Sequence, residues 1–518
     1  MRKITLINVD DSIGNFGIRK IASFIRQNGY RVDQIFLVSN DTTTFKYRFQ
    51  ATFGAEIDEG VKNQILEMVK GSVCVGMSCM TNHHRRAGLL SRAIKEKYPE
   101  KKVVLGGAHA TIVQEDAIED FDAVCVGEGE KAFLEYLQRL EMNQNVSTVK
   151  NFIVKVGDKI IKNSNRPLLS NKELEEMPFM DYGLKDNYIQ EGSKIIKFSE
   201  EHQYKYSGPH YRVMYSLGCP FRCTYCSNNI MFKIDKNYSK LRRPSVDYFI
   251  QGLLNIKKTY PDITTFFLTD DAFFSLSTKE IQYFAEQFRN KIGLNLKITG
   301  AIPTSITEEK IHVLIGAGLK HVRMGIQSGN PRTLDLYGRK ISPPRMIKAM
   351  DTLSKFKKYL IPTECDIILD NPFETSDDLK ETILFLDKLP RPYFLNTFSL
   401  EYLPKTSLTK KAIDEKYVES DSRNDLLCKF PKGTFPNLLI SLYGVFKMPS
   451  FVIKYLVNSK IMNSDMQFTA LIKMLKFFNF SKRAFYFSLH GDFYFLTPKY
   501  CKMLNRLHYL GRKAIKKL

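Results

Sequence analysis

The sequence predicts an α/β protein: an N-terminal doubly wound parallel sheet of the Rossmann-like kind, then a partial (β/α) barrel, then a mainly helical C-terminal region. Short β-branched strands alternate with amphipathic helices over residues 1–145, and the same alternation fills residues 206–410. Residues 146–205 are predicted to be a linker between these two domains. Residues 411–518 are basic, rich in aromatic residues and helical in pattern.

The first domain is predicted to contain five strands, at 3–9, 31–38, 72–78, 102–105 and 123–126. Ligands of such a sheet bind beyond the carboxyl ends of the strands, where small and polar residues allow a bulky ligand to approach the backbone. The residues that follow these strands are small or polar. They form the candidate binding set of the first domain: Asp11, Gly14, Ser78, Thr81, Gly106, Gly107, His109, Gly127 and Glu128.

The second domain is predicted to contain six strands, at 211–217, 264–268, 296–300, 321–327, 364–370 and 396–402. The chemistry of a (β/α) barrel lies at the carboxyl ends of its strands. Polar side chains at these ends can hydrogen-bond a buried polar cofactor. The candidates are Asp270 and Asp271 after the second strand, Gln327 at the end of the fourth and Asn371 after the fifth.

Three cysteines follow the first barrel strand with spacings of four and three residues: Cys219, Cys223 and Cys226. Such a loop can place three thiolates around one soft metal centre. A cubane iron–sulfur cluster has four irons, so three cysteines leave one iron open. Buried structural cysteines and a zinc site are the alternatives, but zinc sites usually show a second paired half, and none follows here.

The spacing and flanking residues of this loop resemble those of the radical S-adenosylmethionine (SAM) superfamily. The resemblance implies a [4Fe–4S] cluster held by the three cysteines, with SAM chelating the fourth iron and being cleaved to a 5′-deoxyadenosyl radical. In resembling enzymes the backbone around the position of Tyr225 contacts adenine. The positions of Asp270, Asp271, Gln327 and Asn371 line the SAM or substrate cavity.

The strand ends of the first domain look like those of the cobalamin-binding domain that precedes many radical SAM cores. The segments 76–81, 106–111 and 127–130 carry this resemblance. The cobalamin family often places Asp-x-His-x-x-Gly after the first strand, whereas this chain has Val9 and Asp11 where the Asp and His would stand. The resemblance therefore implies cobalamin bound without a histidine ligand from that loop.

Three histidines lie near the same strand ends: His83, His84 and His109. A histidine can serve as a metal ligand or as an ordinary hydrogen-bonding loop residue. We expect each of the three to bond to backbone or to the periphery of a cofactor.

Together these resemblances imply a cobalamin-dependent radical SAM enzyme. The function we expect is methylation of an unactivated carbon of a small or lipid-like substrate. A radical cyclase or ring-rearranging enzyme of the same family is an alternative, since the sequence shows no general acid or base that decides between them.

Two further alternatives belong to other classes. A tRNA methylthiotransferase-like enzyme would also be basic, but it would normally carry a second cysteine set in its first domain and a terminal RNA-binding barrel. A non-enzymatic cobalamin-binding protein would explain the first domain but not the cysteine triad. We therefore expect a small or lipid-like substrate and an external reductant of the flavodoxin or ferredoxin type as partners, and no nucleic acid.

The formal charge of +22 is concentrated at the C-terminal end, where residues 442–518 contain fourteen Lys or Arg and two Asp. Aromatic and aliphatic residues lie between these charges, a pattern that suits contact with anionic lipid or nucleic acid. A solvated basic face over an ordinary helical core is the alternative. The chain opens without a secretory signal, so we expect a cytoplasmic protein, with membrane association at the inner face as a hypothesis.

Overall fold

The computed structural model describes residues 2–38, 56–418, 430–494, 496 and 503–504. The chain forms two compact units. The first covers residues 1–207, 230–237 and 242–261, and the second covers residues 208–229, 238–241 and 262–518.

The first unit contains a nine-stranded sheet. Its strands are β1 Lys3–Asn8, β2 Arg31–Phe36, β3 Ser72–Ser78, β4 Lys102–Gly106, β5 Ala123–Cys125, β6 Phe152–Val156, β7 Lys159–Lys162, β8 Asn187–Glu191 and β9 Lys194–Lys197. They lie in the order β7-β6-β5-β4-β3-β1-β2-β8-β9. The five central strands are parallel, as the β-branched runs predict, so their carboxyl ends share one edge of the sheet.

The helices of this unit are α1 Phe16–Gln27, α2 Glu59–Val69, α3 His84–Lys97, α4 Gly107–Val113, α5 Glu130–Glu141, α6 Asn171–Glu176, α7 Glu200–Ser207, most of α8 Asn228–Ile234, and α9 Val246–Thr259. Both faces of the sheet carry helices. Alternate residues of β1 face opposite cores: Ile7 packs in one cluster with Leu90 of α3, and Leu6 packs in the other with Ala22 of α1. The doubly wound prediction is therefore confirmed.

Residues 146–205 differ from the linker that the sequence predicts, because they add two hairpins to this sheet. β6 and β7 extend it from β5 in antiparallel pairing, and β8 joins β2 before turning back into β9. The outermost strands β7 and β9 have the same sequence, Lys-Ile-Ile-Lys. Lysines protect an exposed sheet edge from pairing with other chains, and four-residue strands carry too little periodicity to be recognised beforehand.

The second unit contains six parallel strands in chain order. They are β10 His210–Val213, β11 Thr265–Leu268, β12 Asn295–Ala301, β13 Leu319–Gln327, β14 Thr363–Leu369 and β15 Tyr393–Ser399. The connecting helices are α10 Thr278–Gln287, α11 Glu308–Ala317, α12 Pro331–Leu336, α13 Pro343–Lys355 and α14 Ser376–Lys388. This is the strand order of the partial barrel that the sequence predicts.

The C-terminal region is helical where it is described, as predicted. It contains α15 Ser407–Asp414, α16 Phe435–Val445, α17 Ser450–Val457 and α18 Thr469–Leu489. α16 packs against β15, α14 and α18. Residues 419–429, 495, 497–502 and 505–518 of the predicted region lie outside the described residues. Within the described part of the chain, no helix is long and apolar enough to cross a membrane.

Candidate functional site

The three cysteines lie on the loop that follows β10, and a glycine starts this loop. Gly218 has φ +99°, and a Cβ at this position would lie 2.5 Å from the Lys240 carbonyl oxygen and 2.7 Å from that of Tyr238. The Cys219 amide donates to the same Tyr238 carbonyl at 3.0 Å. Only glycine fits both the left-handed backbone and this close approach.

Thr224 fixes the middle of the cysteine loop. Its amide donates to the Tyr337 carbonyl at 3.0 Å, and its hydroxyl donates to the Leu336 carbonyl at 2.7 Å. Its own carbonyl accepts from the Leu408 amide at 3.0 Å. The Tyr225 ring packs edge-on against Tyr337, with 5.2 Å between the ring centroids. The loop is thus held by the end of α12 and the start of α15.

Asp270 supports the residues that enter the loop. Its buried carboxylate accepts from the Tyr215 amide at 3.0 Å and from the amide and hydroxyl of Ser216, both at 2.6 Å. Burial raises the pKa of Asp270 to about 6, against the lowering effect of these hydrogen bonds. The carboxylate therefore has a positioning role in this structure, which its place at a strand end did not reveal.

The thiols lie close enough to influence one another. Burial, with smaller contributions from the Asp271 carboxylate and the other two cysteines, raises the pKa of Cys219 to about 12. Burial likewise raises the pKa of Cys226 to about 11. Thiolates in such a place are formed by metal binding, which displaces the proton. Among the described residues, no group of His, Cys, Asp or Glu side chains converges as a single metal ion would require.

Arg339 lies beside the loop and was not among the residues expected from the sequence. Its Nη1 is 3.8 Å from Cys223 Sγ and 3.5 Å from the Tyr225 hydroxyl, and its Nη2 donates to the Gly325 carbonyl at 2.6 Å. The side chain is buried. The sequence offers one hint of this contact, the glycine at position 338 next to Arg339. In the structure Gly338 has φ +65°, and a Cβ there would lie 2.9 Å from the Arg222 carbonyl oxygen, so the chain comes close to the cysteine loop at this point.

The remaining barrel candidates lie at the carboxyl ends of neighbouring strands. Gln327 ends β13 in the left-handed region, with φ +72°. Asn371 is buried after β14, and its Oδ1 accepts from the Phe373 amide at 3.1 Å. Asp271 is exposed after β11. A non-glycine residue at positive φ is uncommon and marks Gln327 as a constrained position.

In the first unit, the predicted binding residues follow β1, β3, β4 and β5 and so lie along one sheet edge. The ends of β1 and β3 are tied together by Asn15, whose Nδ2 donates to Asn8 Oδ1 at 2.9 Å and to Ser78 Oγ at 3.1 Å. The Met80 amide donates to Asp10 Oδ1 at 2.7 Å. These contacts set the shape of the edge near Ser78 and Thr81.

Two exposed glycines, Gly107 and Gly127, leave the backbone at this edge accessible. Gly107 has φ +88°, and a Cβ there would lie 2.5 Å from Ser78 Oγ, while Gly127 has φ +78°. Thr111 joins them: its hydroxyl donates to the Gly107 carbonyl at 2.9 Å and accepts from the Gly127 amide at 3.0 Å. Gly106 ends β4 directly opposite Ser78 of β3.

The histidines at this edge are held by the protein. The His109 amide donates to the Cys79 carbonyl at 3.1 Å, and its ring stacks on His84 with centroids 4.9 Å apart. His84 Nδ1 lies 2.8 Å from the Thr81 carbonyl, to which it can only donate. His83 is buried, with its Nδ1 at 3.3 Å from Asp10 Oδ1 and its Nε2 at 3.7 Å from Asp11 Oδ2. Burial lowers its pKa, but the two carboxylates outweigh this effect and raise it to about 9.

Two of the predicted binding residues are carboxylates that already hold the protein together. Asp11 Oδ1 lies 3.1 Å from Arg86 Nη1, and Glu128 Oε1 lies 2.8 Å from Arg242 Nη1. Glu128 also accepts from the Leu169 amide at 2.7 Å. The Gly14 amide donates to Ser12 Oγ at 3.0 Å. Asp11 and Glu128 thus stabilise the loops that carry them.

Comparison with known proteins finds two families that match different parts of this chain. Residues 2–137 match the B12 binding domain family, and residues 213–386 match the radical SAM superfamily. An uncharacterised methyltransferase of Pyrococcus horikoshii, PH0819, is 28% identical over 345 residues, which is 65% of this chain and 69% of that protein.

A second relative and a solved structure extend the comparison. The anaerobic magnesium-protoporphyrin IX monomethyl ester cyclase of Rubrivivax gelatinosus is 24% identical over 319 residues, 60% of this chain and 53% of that protein. This chain thus spans about half the length of the cyclase. The cobalamin-dependent SAM radical enzyme OxsB, solved with aqua-cobalamin and SAM, has the same fold, with a TM-score of 0.65 at 16% identity over 99% of this chain and 75% of that one.

The protein is thus a radical SAM enzyme that carries a B12-binding domain. The B12-binding match precedes the radical SAM match along the chain, in the order that the strand ends and the cysteine loop imply. These domains imply a [4Fe–4S] cluster, SAM and cobalamin. The residues present fit these groups: three neighbouring thiols offer cluster ligands, and the exposed Gly107 and Gly127 leave the backbone of the sheet edge accessible.

Proposed function

We propose that this enzyme methylates an unactivated carbon of a small or lipid-like substrate in a cobalamin-dependent radical SAM reaction. One observation supports this most: the same chain contains a B12-binding domain and a loop of three cysteines, which would leave one iron of a four-iron cluster without a protein ligand. The relative from Pyrococcus horikoshii is called a methyltransferase, which supports methyl transfer. When bound, the cluster would supply one electron to SAM, and cobalamin would supply a methyl group.

Each residue near the cysteine loop has a proposed role. Cys219, Cys223 and Cys226 hold the cluster. Arg339 places a fixed positive charge against Cys223, and Asp270 fixes the entry to the loop through Ser216. The backbone at Tyr225 and the side chains of Asp271, Gln327 and Asn371 contact SAM, with Asp270 acting through the loop rather than by direct contact. A packed site of this kind positions the reactants and excludes water.

In the first unit, Gly106, Gly107 and Gly127 offer their backbone to cobalamin, and Ser78, Thr81 and His109 offer side chains at the same edge. Asp11, Gly14 and Glu128 shape the loops around it. The loop after β1 contains no histidine, so we propose that no imidazole from this loop binds the cobalt.

A radical cyclase is the second candidate, because the relative from Rubrivivax gelatinosus is called a cyclase. The two functions differ in the fate of the methyl group of SAM. We also propose an external reductant of the flavodoxin or ferredoxin type, since the cluster must receive electrons one at a time. The proposed location of the enzyme is the cytoplasm.

The experiment is anaerobic purification with cobalamin supplied, followed by assay of SAM cleavage, with Cys223→Ala as the matched variant. The wild-type protein should contain iron and corrinoid and release 5′-deoxyadenosine. Cys223→Ala should lose the cluster and SAM cleavage but keep corrinoid, because the two sites lie in different units. Continued 5′-deoxyadenosine release by this variant would refute the cluster assignment.

A further inference from the structure

The C-terminal region exposes an unusual amount of apolar surface. Of the twenty-two large apolar side chains that are exposed among the described residues, eleven lie between Phe446 and Leu489. Soluble proteins carry scattered exposed apolar residues, but a concentration of them marks an interaction surface. We call residues 446–489 the C-terminal surface.

The helix α17 presents one aromatic face to solvent. Phe451 and Tyr455, one helical turn apart, are each 75% exposed, and exposed Lys454 lies between them in sequence. Ile453 and Val457 on the opposite face are buried, and α17 packs against α14 on that side. The aromatic face is therefore not needed to hold the helix in place.

The helix α18 shows the same division along its whole length. Its outward stripe consists of side chains that are 44 to 61% exposed and recur at helical spacing: Leu471, Met474, Phe478, Phe485 and Leu489. Ile472, Leu475 and Phe487 lie on the inward side and are buried. With 21 residues the helix is about 30 Å long. A helix that is apolar on both sides is normally covered on both sides, so the outward stripe of α18 indicates a binding surface for an apolar partner.

The charges on this surface are predominantly positive. Lys447, Lys454, Lys460 and Lys473 are exposed among the apolar residues. Residues 446–489 contain a single acidic residue, Asp465. The next acidic residue, Asp492, is engaged with His210, at 2.6 Å from Nε2 to Oδ2. Lysines beside aromatic and aliphatic side chains suit the boundary between anionic headgroups and acyl chains.

We infer that the C-terminal surface docks on a lipid bilayer with anionic headgroups. Charge complementarity selects this partner, because a second copy of the chain would bring two basic faces together. A nucleic acid would match the charge but would leave the aliphatic stripe of α18 without a partner. The inference goes beyond the proposed function, since docking does not depend on the reaction or on any bound cofactor.

The test is co-sedimentation of the full-length protein with vesicles of phosphatidylcholine alone or mixed with phosphatidylglycerol. Binding should require phosphatidylglycerol and weaken as salt rises, because salt screens the lysines. Phe451→Ser with Tyr455→Ser should reduce vesicle binding at least tenfold, and Phe478→Ser with Phe485→Ser should do the same. Tyr359→Ser is the matched control, because this aromatic side chain is also exposed but lies outside the surface.

The variants replace exposed side chains, so their melting temperatures should stay close to that of the wild type. Vesicle binding that is absent in the wild type, or unchanged in both double variants, would overturn the inference. Two further outcomes would also overturn it: dimerisation that the variants abolish would identify a second copy as the partner, and salt-sensitive binding to an RNA oligonucleotide without vesicle binding would identify a nucleic acid.

Discussion

The Nη1 of Arg339 lies 3.8 Å from the sulfur of Cys223, so a buried cation touches one of the three thiols of the cysteine loop. The guanidinium is held there by the Gly325 carbonyl, which accepts from Nη2 at 2.6 Å. The contact joins residues 116 positions apart and comes from the turn after α12. Charge and hydrogen bonds next to ligand sulfurs set the potential of an iron–sulfur cluster.

Arg339→Met should make the reduction potential of the reconstituted cluster more negative, because a cation stabilises the more negatively charged reduced state. A hydrogen bond to a charged group is worth about 1.5 kcal/mol, which corresponds to about 60 mV for one electron. A redox titration followed by electron paramagnetic resonance measures the change. Arg339→Lys keeps the charge and should shift the potential less, and equal shifts in both variants would show that charge is not the cause.

Gly218→Ala should prevent the cysteine loop from closing. The added Cβ meets two carbonyl oxygens at 2.5 and 2.7 Å, and the left-handed backbone alone costs about 1–3 kcal/mol for a non-glycine residue. Iron content per chain after reconstitution should fall by more than half. Gly316→Ala, on α11 with no atom within 4 Å of its added Cβ, is the control and should retain full iron content.

Thr111→Val should weaken cobalamin binding without affecting the cluster. The substitution keeps the shape of the side chain but removes the hydroxyl that accepts from the Gly127 amide and holds this backbone in place. We expect at least a tenfold loss of affinity for hydroxocobalamin, measured by equilibrium dialysis. Thr259→Val removes a hydroxyl bonded only to the Asn255 carbonyl of its own helix, and the same loss there would point to a general folding defect.

The stability contributed by His83 should depend on pH. The Asp10 and Asp11 carboxylates face its ring, and Arg86 pairs with Asp11 beside it. The folded-state pKa is about 9 against an ordinary 6.5, so the contribution is fully present below about pH 6.5 and is lost as the pH rises through 9. The melting-temperature gap between wild type and His83→Gln should be largest at pH 6 and shrink toward pH 10. A gap that is constant across this range would contradict the ion-pair account.

The sequence predicts those parts of the fold and site that depend on residues close together in the chain. β-Branched runs bounded by glycine predict the central strands, and β3 agrees at both ends. The spacing of the cysteines predicts their common loop. The hairpins β6–β9 were missed because their strands are short, and the Arg339 contact because it joins distant segments of the chain.

Asp270 shows why a strand-end position does not define a role. The sequence places its carboxylate at the carboxyl end of β11, where a ligand contact is the natural interpretation. In the structure the chain after β10 lies beside Asp270, and the amide and hydroxyl of Ser216 both donate to its carboxylate. The direction of a side chain depends on such tertiary neighbours, which a single sequence does not reveal.

The most direct test of the central claim uses SAM with an isotopically labelled methyl group, the cobalamin-loaded enzyme, a reductant and a membrane or metabolite extract. The account predicts release of both 5′-deoxyadenosine and S-adenosylhomocysteine, together with a product that carries the label on carbon. Bound corrinoid with 5′-deoxyadenosine alone would contradict methyl transfer and favour cyclisation or rearrangement. The absence of corrinoid from protein purified with cobalamin would contradict the cobalamin-dependent mechanism itself.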